Sequence, residues 1–281
     1  KSKAFALEES AMEAYDAEDW KSASAFYAQS QWAYAYSDLA YRLVPALKNY
    51  LFDETELSRE FLELLSPYDD HNWIESVSYD NVLYEHGEER FQAYPRVAMA
   101  IALVFDQRPP RRWPHSQVSS EALPRRLPQP TEAFDFWIDS ERAGKTLFPF
   151  EKLMIEELKY VVDAAAPFED LRWAQNELRL KPTSIQDLYL SVPYDDDRYA
   201  SNQTTWLGED YRLQTIRERG GICTDQAYYL TQVAKAHGVP CIAVTGVVED
   251  GLHAWTGFME TPGKWNFQAG RNPESDYVTG R

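Results

Sequence analysis

Cysteine and long apolar runs are both scarce in this sequence of 281 residues. Cys223 and Cys241 are the only two cysteines, which is too few for a disulfide framework. No segment reaches the roughly 20 consecutive apolar residues that a membrane span requires, and the first residues contain no hydrophobic signal core. The sequence therefore predicts no membrane span and no structural disulfides, which leaves a cysteine free for chemistry.

Basic residues are few in comparison with acidic ones. Lysine and arginine number 28 against 45 aspartates and glutamates, which gives a formal net charge of −17. The excess is greatest in residues 1–100, which carry 8 basic and 19 acidic side chains. Such a chain repels phosphate backbones, so we expect no nucleic-acid partner. The acidic N-terminal region is a candidate surface for a protein partner.

Histidine is sparse as well, with five in the chain, and His71, His86 and His115 are isolated from one another. Because no paired histidines occur at ligand spacing and the cysteines fall in separate elements, we expect no metal site and no cofactor. An initial methionine is also absent, and residues 277–281 read as a strand and turn cut short. We therefore expect a fragment of a longer protein.

Residues 7–65 follow a helical pattern, with leucine, alanine and aromatic residues recurring at spacings of three and four. Small and large packing residues fall where a tetratricopeptide repeat has them: Ala11, Trp20, Ala23, Tyr27 and Ser30. The match covers one repeat, whereas an array needs about three to bury its faces. The pattern predicts one helical hairpin, with a true array as the alternative. Residues 66–106 continue as helices and end in an apolar run, so we expect a helical domain over residues 1–106.

Proline is concentrated in residues 107–130, where it occurs six times. Proline removes a backbone donor and fixes φ, so a regular helix or a central strand does not fit there. We expect a linker or arm over residues 107–130. Amphipathic helices resume after it, and we assign residues 131–281 to a second domain whose chemical motifs lie in residues 181–281.

Residues 222–238 predict a buried helix that begins at a cysteine. Two glycines, Gly220 and Gly221, precede it, and Gly238 followed by proline ends it. Cys223 then lies at the helix N-terminus, where the unpaired N–H groups lower a thiol pKa and favour the thiolate that attacks carbonyl groups. The other cysteine, Cys241, starts a strand and is expected to be a small core residue.

Three strands are predicted after this helix, over residues 241–248, 253–260 and 265–269. The resulting fold class is α+β: a mainly helical N-terminal region, then a helix packed on an antiparallel sheet. If the strands form a meander on the helix, His253 can face Cys223. A polar side chain on the neighbouring strand can then orient the imidazole, which makes a Cys–His–polar arrangement.

The order and spacing of three motifs resemble those of the transglutaminase-like superfamily. The motifs are Gly220-Gly-Ile-Cys-Thr-Asp-Gln-Ala227, Gly238-Val-Pro240 and His253-Ala-Trp255. The resemblance covers about residues 181–281. It implies a papain-like fold with a Cys–His–Asp catalytic core, in which Cys223 is the nucleophile and His253 is the general base and acid.

The third catalytic position departs from the family pattern. The resemblance implies an aspartate on the strand after the His-Ala-Trp strand, but residues 265–271 contain no carboxylate. Gln268 and Asn266 share one strand face and are the candidates to accept the imidazole Nδ1–H. We prefer Gln268 from its distance to the turn. An amide holds the tautomer but stabilises the imidazolium less than a carboxylate does.

Aromatic residues before the cysteine are candidates for substrate binding. Trp206 and Tyr194 could line the cleft or donate to an oxyanion, with core packing as the alternative for each. The backbone N–H of Cys223 is the preferred oxyanion donor, since it is unpaired at a helix start.

Two functional hypotheses follow. The first is a thiol enzyme that transfers acyl groups from amide bonds of proteins or peptides, as a cysteine protease or amidase with water as acceptor, or as a transglutaminase with an amine. Of these we prefer peptide hydrolysis. The alternative is a catalytically impaired transglutaminase-like scaffold, whose acidic helical N-terminal region binds a protein partner.

Overall fold

The computed structural model describes residues 2–65, 72–106, 115, 117–119, 128–207, 210–248 and 251–273. Within these ranges the chain is helical up to residue 236 and ends in a small sheet, so the fold is α+β. Throughout the described ranges, each helix is too short or too polar to pass through a bilayer.

Among the described residues up to 106, seven helices form the N-terminal region. They are α1 (Ser2–Asp16), α2 (Trp20–Arg42), α3 (Pro45–Asp53), α4 (Thr55–Leu64), α5 (Trp73–His86), α6 (Glu88–Ala93) and α7 (Pro95–Phe105). α3 and α7 start with proline, whose fixed φ suits the first helical position. The apolar run of α7 is buried from Val97 to Leu103.

The first two helices, α1 and α2, pack along each other as a hairpin. Ala11, Ala23 and Ser30 are buried there. Trp20 and Tyr27, the large packing residues of the predicted repeat, are instead more than half exposed. The small residues allow the two helices to approach, but the aromatic side chains lie on the outer face of the hairpin.

The predicted linker at residues 107–130 lies mostly outside the described residues. Its described part contacts the C-terminal region, since Val118 forms a parallel bridge with Trp206. Trp206 donates its backbone N–H to Gln117 (2.7 Å), and Ser119 donates to the Trp206 carbonyl (3.3 Å). The last residue of the predicted linker, Pro130, is the first residue of the next helix.

In the ranges 128–207, 210–248 and 251–273, seven further helices and three strands follow. The helices are α8 (Pro130–Arg142), α9 (Ile155–Val162), α10 (Phe168–Glu177), α11 (Asp187–Leu190), α12 (Asp196–Ala200), α13 (Leu213–Arg219) and α14 (Cys223–Ala236), with short 3-10 turns at Phe150–Lys152 and Pro182–Ser184. The strands are β1 (Cys241–Val248), β2 (Gly251–Thr261) and β3 (Lys264–Ala269). They form an antiparallel sheet in the order β1-β2-β3.

Helix α14 is the centre of the C-terminal region. Every residue from Asp225 to Ala236 is buried, and the helix packs on β2, β1, α10 and α11. Gly238, at φ +69°, ends it, while residues 237–239 donate to the last carbonyls of the helix. One continuous apolar core extends from Leu39 to Ala269, so the N-terminal helices and the sheet share it.

Candidate active site

The two glycines before α14 allow a close backbone approach that fixes the start of the helix. Gly221 donates its N–H to Pro193 (2.9 Å) and accepts from Asp195 (3.1 Å). Gly220 has φ +83°, and a Cβ there would lie 2.5 Å from the Pro193 carbonyl oxygen. Only glycine fits this position, and the helix therefore begins with Cys223 facing the sheet.

Cys223 and His253 are brought together at the junction of α14 and β2. Both side chains are half-buried, and they lie close enough for each to shift the pKa of the other. His253 Nε2 lies 2.6 Å from the Gly270 backbone oxygen. Because a carbonyl only accepts, Nε2 must carry the proton, and Nδ1 is left for the sulfur.

Electrostatics of the pair favour the thiolate. Burial raises the pKa of Cys223, but the hydrogen bonds from His253 and from the Ala254 backbone N–H outweigh it, and the net pKa is lowered. The hydrogen bond to Cys223 raises the pKa of His253; burial opposes this, and the Gly270 carbonyl adds to it. Opposite shifts of this kind are those expected for a thiolate–imidazolium pair.

A second polar network holds the backbone just before Cys223. Asp225 is fully buried, and its Oδ2 accepts from the Ile222 N–H (2.9 Å) and from Arg198 Nη1 (2.6 Å). Its Oδ1 accepts from the Tyr211 hydroxyl (2.7 Å). His115, from the predicted linker, lies 2.8 Å from the same hydroxyl through Nε2. This chain of contacts connects the proline-rich segment to the residue that precedes Cys223.

The residues proposed for substrate binding occupy different environments. Tyr194 is 40% exposed, and burial followed by the nearby Cys223 charge raises its pKa to about 12. Trp206 is buried, and its indole N–H donates to the Asp210 carbonyl (2.8 Å), so that donor is already used. Trp206 instead lies beneath the guanidinium groups of Arg198 and Arg219.

A polar cleft of about 390 Å³ adjoins this side of the site. It is bordered by Asp195, Arg198, Trp206, Arg219 and Gly220. The cleft reaches Gly220, three residues before Cys223.

The structure does not bring the predicted orienting amides to His253. Asn266 pairs with Phe258, five residues along β2 from His253, which corresponds to about 16 Å along a strand. Its side chain donates to Glu260 and accepts from the Gln268 backbone N–H. Gln268 is exposed and, within the described ranges, its side chain makes no hydrogen bond to His253. The held nitrogen is Nε2 rather than Nδ1, and its acceptor is the backbone of Gly270.

Several site residues carried no recognisable signal in the sequence. Arg198 and Gly270 reach the site through contacts that are distant along the chain. Asp225 carried a weak sequence signal, because an acidic residue at the third position of a helix is typical of a capping arrangement.

The ring of Trp255, from the His-Ala-Trp motif, stacks on His253 with centroids 6.3 Å apart, and Arg271 lies over Trp255.

Comparison with protein families finds a match in the C-terminal region. Residues 170–267 match the family model of the transglutaminase-like superfamily. The matched segment starts in α10 and ends in β3, and it contains both Cys223 and His253. Comparison with curated proteins found no match, and neither did comparison with solved structures.

Proposed function

Because the C-terminal part of this chain is a transglutaminase-like domain, we propose that it catalyses acyl transfer from amide bonds of proteins or peptides. Cys223 is the nucleophile, and His253 is the general base and acid. The observation that carries the proposal is the placement of Cys223 beside His253, where the pKa of the thiol is lowered and that of the imidazole is raised.

The first half of the reaction forms an acyl-enzyme. His253 Nδ1 holds the thiol proton while Cys223 Sγ attacks the amide carbonyl carbon, and the carbonyl π electrons move to the oxygen. The Cys223 backbone N–H, at the first position of α14, is the proposed donor to this oxyanion. The C–N bond then breaks, His253 gives its proton to the leaving amine, and a thioester remains on Cys223.

The second half releases the acyl group. His253 takes a proton from the acceptor, which attacks the thioester carbon, and the sulfur leaves and regains a proton. Water as acceptor gives hydrolysis and a primary amine gives transamidation. Cys223 and His253 are both partly exposed, which gives water access to the thioester, so we propose hydrolysis of peptides as the principal reaction.

The remaining site groups have supporting roles in this proposal. The Gly270 carbonyl takes the part of the third triad member, because it fixes the imidazole through Nε2–H. A neutral carbonyl stabilises an imidazolium less than a carboxylate does. Tyr194 and the cleft above Trp206 are the proposed contacts for the substrate chain.

The pH dependence of iodoacetamide alkylation tests the proposal, with labelled sites identified by mass spectrometry. We expect Cys223 to react with a midpoint well below the ordinary thiol pKa of about 8.5, and His253→Ala to raise that midpoint. Cys241 is an internal control, since burial raises its pKa to about 12. Slow alkylation that is indifferent to His253 would contradict the proposal.

The impaired scaffold is the second candidate, favoured by the lack of any carboxylate on β3. The two functions are separated by incubating the protein with a peptide mixture, with and without a primary alkylamine. Cleaved peptides indicate hydrolysis and amine adducts indicate transamidation. If neither product depends on Cys223, the scaffold is the better account.

A further inference from the structure

Tyr189 contacts the supports of both reacting side chains. It lies in the short helix α11 and is 4% exposed. Its hydroxyl is 2.6 Å from the Ala254 carbonyl oxygen and 3.4 Å from the Cys223 carbonyl oxygen. A single O–H donates one hydrogen, so the shorter contact to Ala254 is the principal hydrogen bond.

Ala254 is the residue through which this hydrogen bond affects the thiol. It follows His253 on β2, and its backbone N–H is hydrogen-bonded to Cys223. The same residue therefore presents its N–H to the sulfur and its carbonyl to Tyr189. The Tyr189 hydroxyl thus limits rotation of the backbone that carries both the donor to the sulfur and the imidazole.

The ring of Tyr189 contacts the residue that accepts the imidazole hydrogen bond. It packs so closely on Gly270 that a Cβ there would lie 2.3 Å from the ring. The carbonyl of Gly270 is the acceptor of His253 Nε2–H. The hydroxyl therefore contacts the residue that follows His253, and the aromatic ring contacts the residue that accepts from its imidazole.

We propose that Tyr189 is a positioning residue that sets the distance and orientation between Cys223 and His253 through Ala254 and Gly270. This inference rests on the proposed function, because it concerns the same pair. An ordinary buried tyrosine needs only one hydrogen-bond acceptor for its hydroxyl. Here the hydroxyl and the ring contact the backbone of three residues that each support or carry a reacting group.

The test is Tyr189→Phe, which keeps the ring on Gly270 and removes only the hydroxyl. The Ala254 carbonyl then loses its hydrogen-bond donor, and the Ala254 N–H no longer points reliably at the sulfur. We expect the alkylation midpoint of Cys223 to rise toward the ordinary thiol pKa. The alkylation rate at neutral pH should fall by about tenfold, which is less than the ~100-fold loss that a 1 Å misplacement can cost. The rate on the alkaline plateau is unchanged, because the thiolate itself is the same.

Tyr229→Phe is the matched control. Tyr229 lies in α14 and is fully buried, and within the described residues its hydroxyl makes no hydrogen bond to Cys223, Ala254 or Gly270. Removal of that hydroxyl is expected to leave the Cys223 midpoint unchanged. Tyr194, the other titratable side chain beside the sulfur, has a pKa of about 12 and stays neutral over the range measured.

Alkylation of Cys241 reports loss of folding in each variant, since this thiol is fully buried. A low midpoint in the parent that rises in Tyr189→Phe, with Cys241 still unlabelled, supports the inference. A low parental midpoint that is equal in Tyr189→Phe overturns it and leaves the proposed function standing. Labelling of Cys241 in Tyr189→Phe also overturns it, because the hydroxyl would then hold the fold. An ordinary midpoint in the parent overturns both proposals.

Discussion

Arg198 and Asp225 form an almost fully buried ion pair at the start of the helix that carries Cys223. Arg198 Nη1 lies 2.6 Å from Asp225 Oδ2, and the two side chains are 9% and 0% exposed. The other guanidinium nitrogens donate to the carbonyls of Gln203 and Thr204. The arginine thus neutralises a buried carboxylate and ties the loop after α12 to α14.

Arg198→Met is expected to destabilise the protein strongly, because it leaves the Asp225 carboxylate buried without its cation. Loss of one partner of a buried pair costs about 3–5 kcal/mol. The measurement is the free energy of unfolding from urea titration. Arg42→Met is the matched control, since Arg42 and Asp38 form a pair that is 42% and 44% exposed and worth less than about 1 kcal/mol. Equal losses in the two variants would contradict the prediction.

His115 makes stability depend on pH. Burial lowers its pKa to about 4, while the Asp225 charge opposes the shift and Arg198 adds to it. Nδ1 accepts from the Gln117 N–H (3.3 Å), and Nε2 lies 2.8 Å from the Tyr211 hydroxyl, which itself donates to Asp225. The neutral ring satisfies both contacts, whereas a protonated Nδ1 would face another donor.

The sign of the pH effect follows from the lowered pKa. Between pH 6.5 and 4 the unfolded chain binds a proton at His115 that the folded protein does not, so stability falls as pH falls. The free energy of unfolding falls by about 3 kcal/mol in total over this window, and its full value is reached only above pH 6.5. Urea titrations of the parent and of His115→Gln at several pH values should diverge in slope over that window. Parallel curves would show that His115 is not buried in its neutral form.

Gln268→Ala is expected to leave the alkylation midpoint of Cys223 unchanged. The Gln268 side chain is exposed, and His253 Nε2 already has the Gly270 carbonyl as acceptor. The pH profile of iodoacetamide alkylation measures the effect, with His253→Ala as the variant that should change it. A raised midpoint in Gln268→Ala would restore the amide as the orienting group.

Local patterns predicted the pair itself. Glycines before Cys223 and the glycine–proline stop after its helix depend on neighbouring residues only, and the His-Ala-Trp strand follows directly along the chain. The sequence therefore predicted the helix-on-sheet architecture that residues 223–269 adopt and the closeness of Cys223 and His253 within it.

The register of the β2–β3 pair and the long-range side-chain contacts could not be predicted from local sequence patterns. Two-residue alternation shows which face of β3 a side chain occupies, but not which residue of β2 lies opposite it. The β2–β3 ladder contains two register shifts, and Asn266 comes to lie opposite Phe258 rather than His253. Tyr189 and Arg198 contact residues at least 27 positions away, and no periodicity records such contacts.

Gly270→Ala is expected to disturb both stability and the reacting pair. Gly270 has φ +79°, and an added Cβ would lie 2.3 Å from the Tyr189 ring. The positive φ costs about 1–2 kcal/mol in an alanine, and the forced contact adds about 1–3 kcal/mol.

Gly263→Ala is the matched control, because Gly263 has φ +78° and open space around the added Cβ. Urea titration should therefore show a larger loss for Gly270→Ala. The alkylation midpoint should rise in that variant alone, since only there does the acceptor of His253 Nε2–H move. If the two variants are equal in both measurements, the contact between Tyr189 and Gly270 does not support His253.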